Sequence, residues 1–389
     1  MTRVADVRIL HLFANHKWTG PADPAIRLAA RLRSLGIDVV FAQAEFVHRG
    51  GSNHIARQLW DWRVPVIAGL ELRKHFHAPS LLRDVRALRT ILLRDGIRVL
   101  HCHQPSDHLL AALACRKLSR PPIIVRTLYE PEPPGRSIRT RFSFSRTAGV
   151  IAPTTAARRG VINRFGLAAD RVLLQSPVTE PQPLVGQSLR SQWGLEGHHR
   201  LVGITARVQP HRRFDLLWEI ARRVVDVLPN ARFALFGRGN EADMNQLVLA
   251  PLQRFGLQQH VLLPGYKQGD DYRAALRSCD AFLFLVPGSD GTCRAVADAL
   301  ALGLPVVATS RGILPELLAA RRAGEIFGVA CREDAATMAK ELVQLLGDDT
   351  VRAARSAAAR RCALIDMNPH AAAMATAAFY EQLLAEAAR

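Results

Sequence analysis

The sequence predicts an α/β protein built from two doubly wound, Rossmann-like domains. Three observations carry this. Short apolar runs of strand length alternate with segments whose apolar residues recur at helical spacing, the signature of parallel βαβ units. The alternation runs twice, over residues 7–152 and again over 201–309. A proline-rich stretch, 176–187, separates the two series. With 389 residues the chain is long for one core and comfortable for two.

In the first series, 7–13 reads as a buried strand, and the helical pattern of 24–35 stops at Gly36. A strand over 37–42 follows. The pattern returns with a helix over 81–94, Gly96 and a strand over 98–103, then a helix over 107–118 and strands over 122–127 and 149–152. The second series holds a strand over 201–205, a helix over 215–227 and a strand over 232–236 that runs into Gly237-Arg238-Gly239. Strands over 261–263, 281–286 and 305–309 follow, with helices over 271–277 and 292–302 between them. A last helix spans 369–388. The domains are expected at 1–180 and 181–368, with 369–389 as a separate C-terminal helix. Doubly wound domains present their binding loops at the C-terminal ends of the strands, here expected to face a shared cleft.

Composition excludes several classes. No apolar run approaches the about 20 residues that a membrane span needs, and Asp6 and Arg8 interrupt any secretory leader, so a cytoplasmic protein is expected. Six scattered cysteines without a CxxC pair argue against a disulfide framework. The cluster His101, Cys102, His103 and His108 lacks a closed ligand set, so no metal is expected. The net charge of +18 is uneven, +15 over residues 1–180 and +3 over 181–389. A basic half suits an anionic partner: nucleic acid, an anionic membrane surface or a phosphorylated substrate. Nucleic acid is disfavoured, because no basic strand is interleaved with aromatics and no recognition-helix pattern occurs.

The strongest local signal is the run from Pro287 to Asp298, where an apolar strand enters a glycine-flanked turn and then a helix. The backbone N–H groups at Gly291 and Thr292 sit where a helix start binds anions. Asp290 and Asp298, eight residues apart, project from similar sides and suit paired hydroxyls on a sugar or ribose. A simple N-terminal cap and a solvated helix residue account for them equally well. After the strand ending at Thr205, Arg207, Arg212 and Arg213 offer guanidinium forks for phosphate oxygens, although an exposed basic loop is the common fate of such a run. Gly237 and Gly239 allow close backbone approach, or merely a turn. In the first half, Lys17-Trp18-Thr19-Gly20 follows the first strand, and His101 and His103 end another, facing the expected cleft.

In this order the motifs resemble the GT-B fold glycosyltransferases of family 4, which are retaining enzymes. Asp290 and Asp298 stand at both positions of the family's E-x(7)-E motif. Ala206-Arg207 through Arg212-Arg213 resembles its diphosphate-gripping G-R-x(4)-K-G segment, with Arg for Lys and Arg213 for the final Gly. Thr19-Gly20 resembles its N-terminal Gly-Gly loop, and His101-Cys102-His103 its H-x-H strand end. The stretch 302–308, followed by Gly312 through Glu316, resembles its A-x-G-x-P-V-V-A and G-G-x-x-E stretches. The resemblance implies transfer from a nucleotide-diphosphate sugar to a glycan or lipid-linked acceptor in cell-envelope polysaccharide synthesis. It further implies an acceptor-side first domain, a donor-binding second domain, and a last helix that returns to the first domain. The base would lie near Tyr266 and Lys267 and the ribose near Asp298. The diphosphate would be held by Arg207, Arg212, Gly291 and Thr292, with Gly237 nearby and Gly20 and Thr19 capping it. The sugar would meet Asp290 and His103. Arginines neutralise the leaving phosphate on this reading, so no metal or cofactor is expected. A non-catalytic nucleotide-sugar-binding subunit and a nucleotide-sugar epimerase on the same fold are the alternatives.

Overall fold

A computed structural model describes residues 4–45, 53–180, 182–183, 186–286, 291, 293–319 and 324–388. The chain divides into two compact units: Met1–Pro177 with Ser289–Thr292 and Pro369–Arg389, and Val178–Gly288 with Cys293–Asn368.

The first unit is one sheet of six parallel strands. They are β1 (Arg8–Phe13), β2 (Asp38–Gln43), β3 (Ile97–Cys102), β4 (Ile123–Thr127), β5 (Gly149–Ala152) and β6 (Val172–Leu174), in the order β2-β1-β3-β4-β5-β6. Successive residues of a strand serve opposite faces, and both faces are covered, so the strands are apolar throughout. Ile9, Phe13, Val99, Val125 and Ile151 pack on helix Ala22–Ser34 and on the C-terminal helix Pro369–Ala387. Leu10, Leu12, Leu100 and Ile124 face helices Ala78–Arg94 and Pro105–Cys115 on the other side.

The return of the C-terminal helix is written into Gly149 at the start of β5. A Cβ there would stand 2.5 Å from Leu383 Cδ1 and 2.7 Å from Phe379 Cζ. Only glycine lets the helix sit that close to the strand.

The second unit is another six-stranded parallel sheet. Its strands are β7 (Arg200–Thr205), β8 (Ala231–Phe236), β9 (Val261–Leu262), β10 (Ala281–Phe284), β11 (Val306–Thr309) and β12 (Gly328–Cys331), in the order β12-β11-β10-β7-β8-β9. The order reverses between β10 and β7, the topological switch point at which such sheets bind ligands. Val202, Ile204, Phe233 and Leu235 pack on helix Phe214–Val227 and helix Ala335–Gly347. Phe236, Phe282 and Ala308 face helices Arg294–Ala301 and Asp349–Ile365.

Two expectations from the sequence need correction. The strand expected over 281–286 ends at Phe284, and the helix expected over 292–302 begins only at Arg294. Cys293, its N-cap, has φ +48°, so the backbone turns left-handed before the helix starts. Several arginines of the segment 73–98 are held by partners within the first unit. Arg83 pairs with Glu71 at 2.6 Å and Arg94 with Asp95 at 2.6 Å. Arg89 donates to the carbonyls of Leu113 and Ala114 at 2.9 and 3.0 Å.

Candidate functional site

The loops after β7 and β8 are locked together. The Val208 amide donates to the Arg238 carbonyl at 3.0 Å. A Cβ on Gly237 would fall 2.0 Å from the Ala206 carbonyl oxygen, so no other residue fits that contact. The backbone at the switch point is thereby held open and fixed. Arg212, half-buried, reaches across it: its Nη1 donates to the carbonyl of Val286, just beyond β10, at 3.1 Å. Arg207 projects from the same loop, exposed and without a partner among the described residues.

Arg213 explains its own departure from the family's glycine. Its φ is +57°, in the left-handed region that glycine occupies without strain and other residues rarely visit. Its side chain is tethered to Glu333 at 2.7 Å and Asp215 at 3.1 Å, and Arg311 joins Glu333 as well. Nothing local in the sequence pointed to this network, because Glu333 lies beyond β12.

Further along the same strand ends, Tyr266 is 53% exposed and carries Arg238 over its ring at 4.6 Å. Lys267 follows it, half-buried. Asp298 lies on the fifth residue of helix Arg294–Ala301, 3.7 Å from Arg294 of the preceding turn. Tyr272, whose hydroxyl is 3.1 Å from Thr205 Oγ1, has its ionisation pushed up by burial and further by the Asp298 charge. Gly291 precedes the helix with φ +65°. Asp290 and Thr292 lie outside the described residues.

In the first unit, Thr19 and Gly20 form the turn that opens helix Ala22–Ser34. The Ala22 amide donates to the Thr19 carbonyl at 2.9 Å, and Thr19 Oγ1 is buried without a hydrogen-bond partner. His103 is 1% exposed, so its ring faces the sheet interior rather than solvent. Its Nδ1 meets the Tyr129 hydroxyl at 2.6 Å and its Nε2 meets His11 Nδ1 at 3.0 Å. His101, beside His11 in the strand register, is buried between the Thr127 hydroxyl and Tyr380 of the C-terminal helix. Burial holds all these rings neutral, with His11 lowered to about 3.

One nitrogen from each of His11, His101 and His103 lies within 4.8 Å of the others. The rings of His101 and His103 nonetheless stack, 4.4 Å apart and 18° from parallel. A metal ion binds in the plane of each imidazole, and stacked planes do not converge on one point. Both nitrogens of His101 and of His103 and Nδ1 of His11 are engaged with hydroxyls or one another, and His11 Nε2 is buried without a partner among the described residues. Asp107 ties the ends of β1 and β3 beside the three rings, accepting the amides of Ala14 and Gln104 at 2.7 Å and of His103 at 3.2 Å.

The structure thus places Arg207, Arg212, Gly237, Tyr266 and Lys267 in loops that follow strands of the second unit and Asp298 on its helix Arg294–Ala301, while Gly291 groups with the first unit. Thr19, Gly20 and His103 lie at strand ends of the first. Two six-stranded parallel sheets with these loops define a class, and comparison supplies the family. Residues 19–174 match the model described as glycosyltransferase family 4, and 199–348 that described as glycosyl transferases group 1. Together they span most of the chain, which belongs to the GT-B glycosyltransferases of the family-4 type and is an enzyme of the hexosyltransferase kind. It is 26% identical over 274 residues to a phosphatidyl-myo-inositol mannosyltransferase of Mycobacterium leprae, covering 68% of each chain. Its fold matches Anabaena HepE, solved in complex with UDP, at TM-score 0.77 with 16% identity, over 97% of this chain and 100% of that one. It also matches sucrose-phosphate synthase of Thermosynechococcus elongatus at TM-score 0.70 with 15% identity, over 97% and 100%. Among the described residues, no helix is long and apolar enough to cross a membrane.

Proposed function

We propose that the enzyme transfers a sugar from a nucleotide-diphosphate sugar to a glycan or lipid-linked acceptor, with retention of configuration and without a metal. The observation that carries this reading is the placement of Arg212 and Arg207 at the switch point of the second sheet. Arg212 is braced on Val286, and Arg207 extends unpartnered beside a backbone kept bare by Gly237. Two guanidinium groups there, Arg212 braced and Arg207 free to close on a ligand, match the phosphate oxygens of a nucleoside diphosphate. Tyr266 offers a ring for the base and Lys267 a cation beside it. Asp298 is the ribose-facing carboxylate and Asp290 the sugar-facing one. Gly291 and Thr292 lend backbone N–H groups, and Thr19 and Gly20 belong to the same donor-binding set. His103 acts from inside its network as a positioning residue for Tyr129.

As the glycosidic bond breaks, negative charge builds on the leaving phosphate, and arginines already bound to it stabilise that charge without reorganising. Removing one such donor typically lowers the rate about 100- to 1000-fold. The solved complex of HepE with UDP supports a nucleotide donor. The lipid named in the mycobacterial relative supports a lipid-linked acceptor; work at the inner face of the membrane is part of the same proposal. Release of nucleoside diphosphate from a panel of nucleotide sugars, assayed with and without EDTA, tests the reading. Turnover that persists in EDTA and falls at least about 100-fold in Arg207→Ala supports it. Turnover lost in EDTA and restored by magnesium or manganese contradicts the metal-free route.

A further inference from the structure

Arg126 is a charged residue in the middle of an apolar strand. It is the fourth residue of β4, on the face that carries Ile124, and only 3% of it is exposed. A guanidinium keeps its charge in a protein interior and brings five N–H donors. Here one donor reaches the carbonyl of Cys102 at 3.3 Å, and among the described residues no carboxylate forms an ion pair with it. Asp107, a buried acid that senses its charge, has its oxygens turned to the amides of Ala14, His103 and Gln104. A buried cation left this way is costly unless something else neutralises it.

The same side chain lines a cavity of about 410 Å³ within the first unit. A second polar group there is also unsatisfied: Ser106 Oγ, buried and without a partner. Lys74 and Arg139 lie on the cavity wall, and the one acid on it, Asp84, is spent on the amides of Glu71 and Leu72 at 2.8 and 3.0 Å. The rest of the wall mixes polar side chains, Arg73, His108 and Thr140 among them, with apolar ones that include Phe76, Leu81 and Phe144. Arg139 lies over the Phe76 ring at 3.7 Å; Phe76 is 54% exposed and neighbouring Ile138 is 89% exposed.

We infer that this cavity binds a phosphate-bearing acceptor, with the phosphoryl oxygens on Arg126 and Ser106 and the carbon portion against Phe76 and its apolar neighbours. That the ligand is an acceptor rests on the glycosyltransferase reading above; that the cavity selects an anion does not. A phospholipid headgroup and a soluble sugar or polyol phosphate share this chemistry.

The full chain is titrated with sn-glycerol 3-phosphate, and in parallel with phosphatidylcholine vesicles that do or do not contain phosphatidylglycerol. UDP binding is measured on the same samples. Wild type should bind at least one of the two anionic probes. Arg126→Met and Ser106→Glu, whose carboxylate would enter the cavity as an internal anion, should each weaken that binding by about 10- to 100-fold, the range expected for a lost charge-assisted hydrogen bond. Both should leave UDP affinity within about twofold. Arg207→Ala should do the converse, which separates this cavity from the donor phosphates. Arg126-dependent binding of vesicles alone assigns a lipid headgroup, and of glycerol phosphate alone a soluble acceptor. If neither probe binds, or if both variants retain full affinity, the proposal is overturned even where UDP still binds. Should Arg126→Met fail to fold, Ser106→Glu decides on its own.

Discussion

Arg213 shows how a family position can change residue and keep its backbone. The loop from β7 needs a left-handed residue before helix Phe214–Val227, and Arg213 supplies it at φ +57° while its side chain spans Asp215 and Glu333. Replacement by Ala or Gly removes the same ion pairs, but only Ala keeps the strain. Arg213→Ala should therefore be less stable than Arg213→Gly by about 1 kcal/mol in urea denaturation. Equal stabilities would mean that the left-handed turn relaxes. Arg126 is a different lesson at the same scale. A charged residue inside the run 122–127 was visible in the sequence, yet its meaning depends on which helices cover β4, and no local pattern states that. His103 is similar: the strand end was legible, but its burial depends on His11 and Tyr129, each far from it along the chain.

The central strands were legible because a sheet covered on both faces demands continuous apolar runs, and Gly36 and Gly96 mark helix ends directly. The elements not foreseen have physical reasons for being faint. β6 has three residues and β12 four, both at sheet edges. Helix Asp349–Ile365 buries mostly alanines and Cys362, so its apolar contrast is weak. The docking of the C-terminal helix depends on one position that reads as an ordinary strand glycine. Gly149→Val should place carbon atoms where Leu383 and Phe379 already lie, costing about 1–3 kcal/mol by overpacking. Chemical denaturation measures the loss, and limited proteolysis should cut the C-terminal helix first. A variant as stable as wild type would show that the helix shifts without penalty.

At the scale of the whole molecule, the two units differ in what they bury. The first encloses His11, His101, His103 and His108, all lowered by burial, so the folded protein keeps them neutral. The unfolded chain protonates such rings below about pH 6.5. Stability from these rings is complete above that pH and is lost progressively as pH falls below it, by up to about 1.4 kcal/mol per pH unit for each ring. Asp107, raised to about 7 by burial, acts in the opposite sense between about pH 4 and 7, one carboxyl against several imidazoles. Urea denaturation at about pH 7.5 and about pH 5 should show the first unit weakened at the lower value; a flat profile would mean that the rings are protonated in the fold. The second unit carries the central claim, that its switch point holds the phosphates of a nucleotide donor. Calorimetric titration of UDP, GDP and ADP in EDTA, into wild type and Arg207→Ala, tests it most directly. The account predicts that at least one nucleotide binds wild type and binds the variant about tenfold or more weakly, at unchanged thermal stability. Binding of none of them, or equal affinity in both proteins, would contradict it.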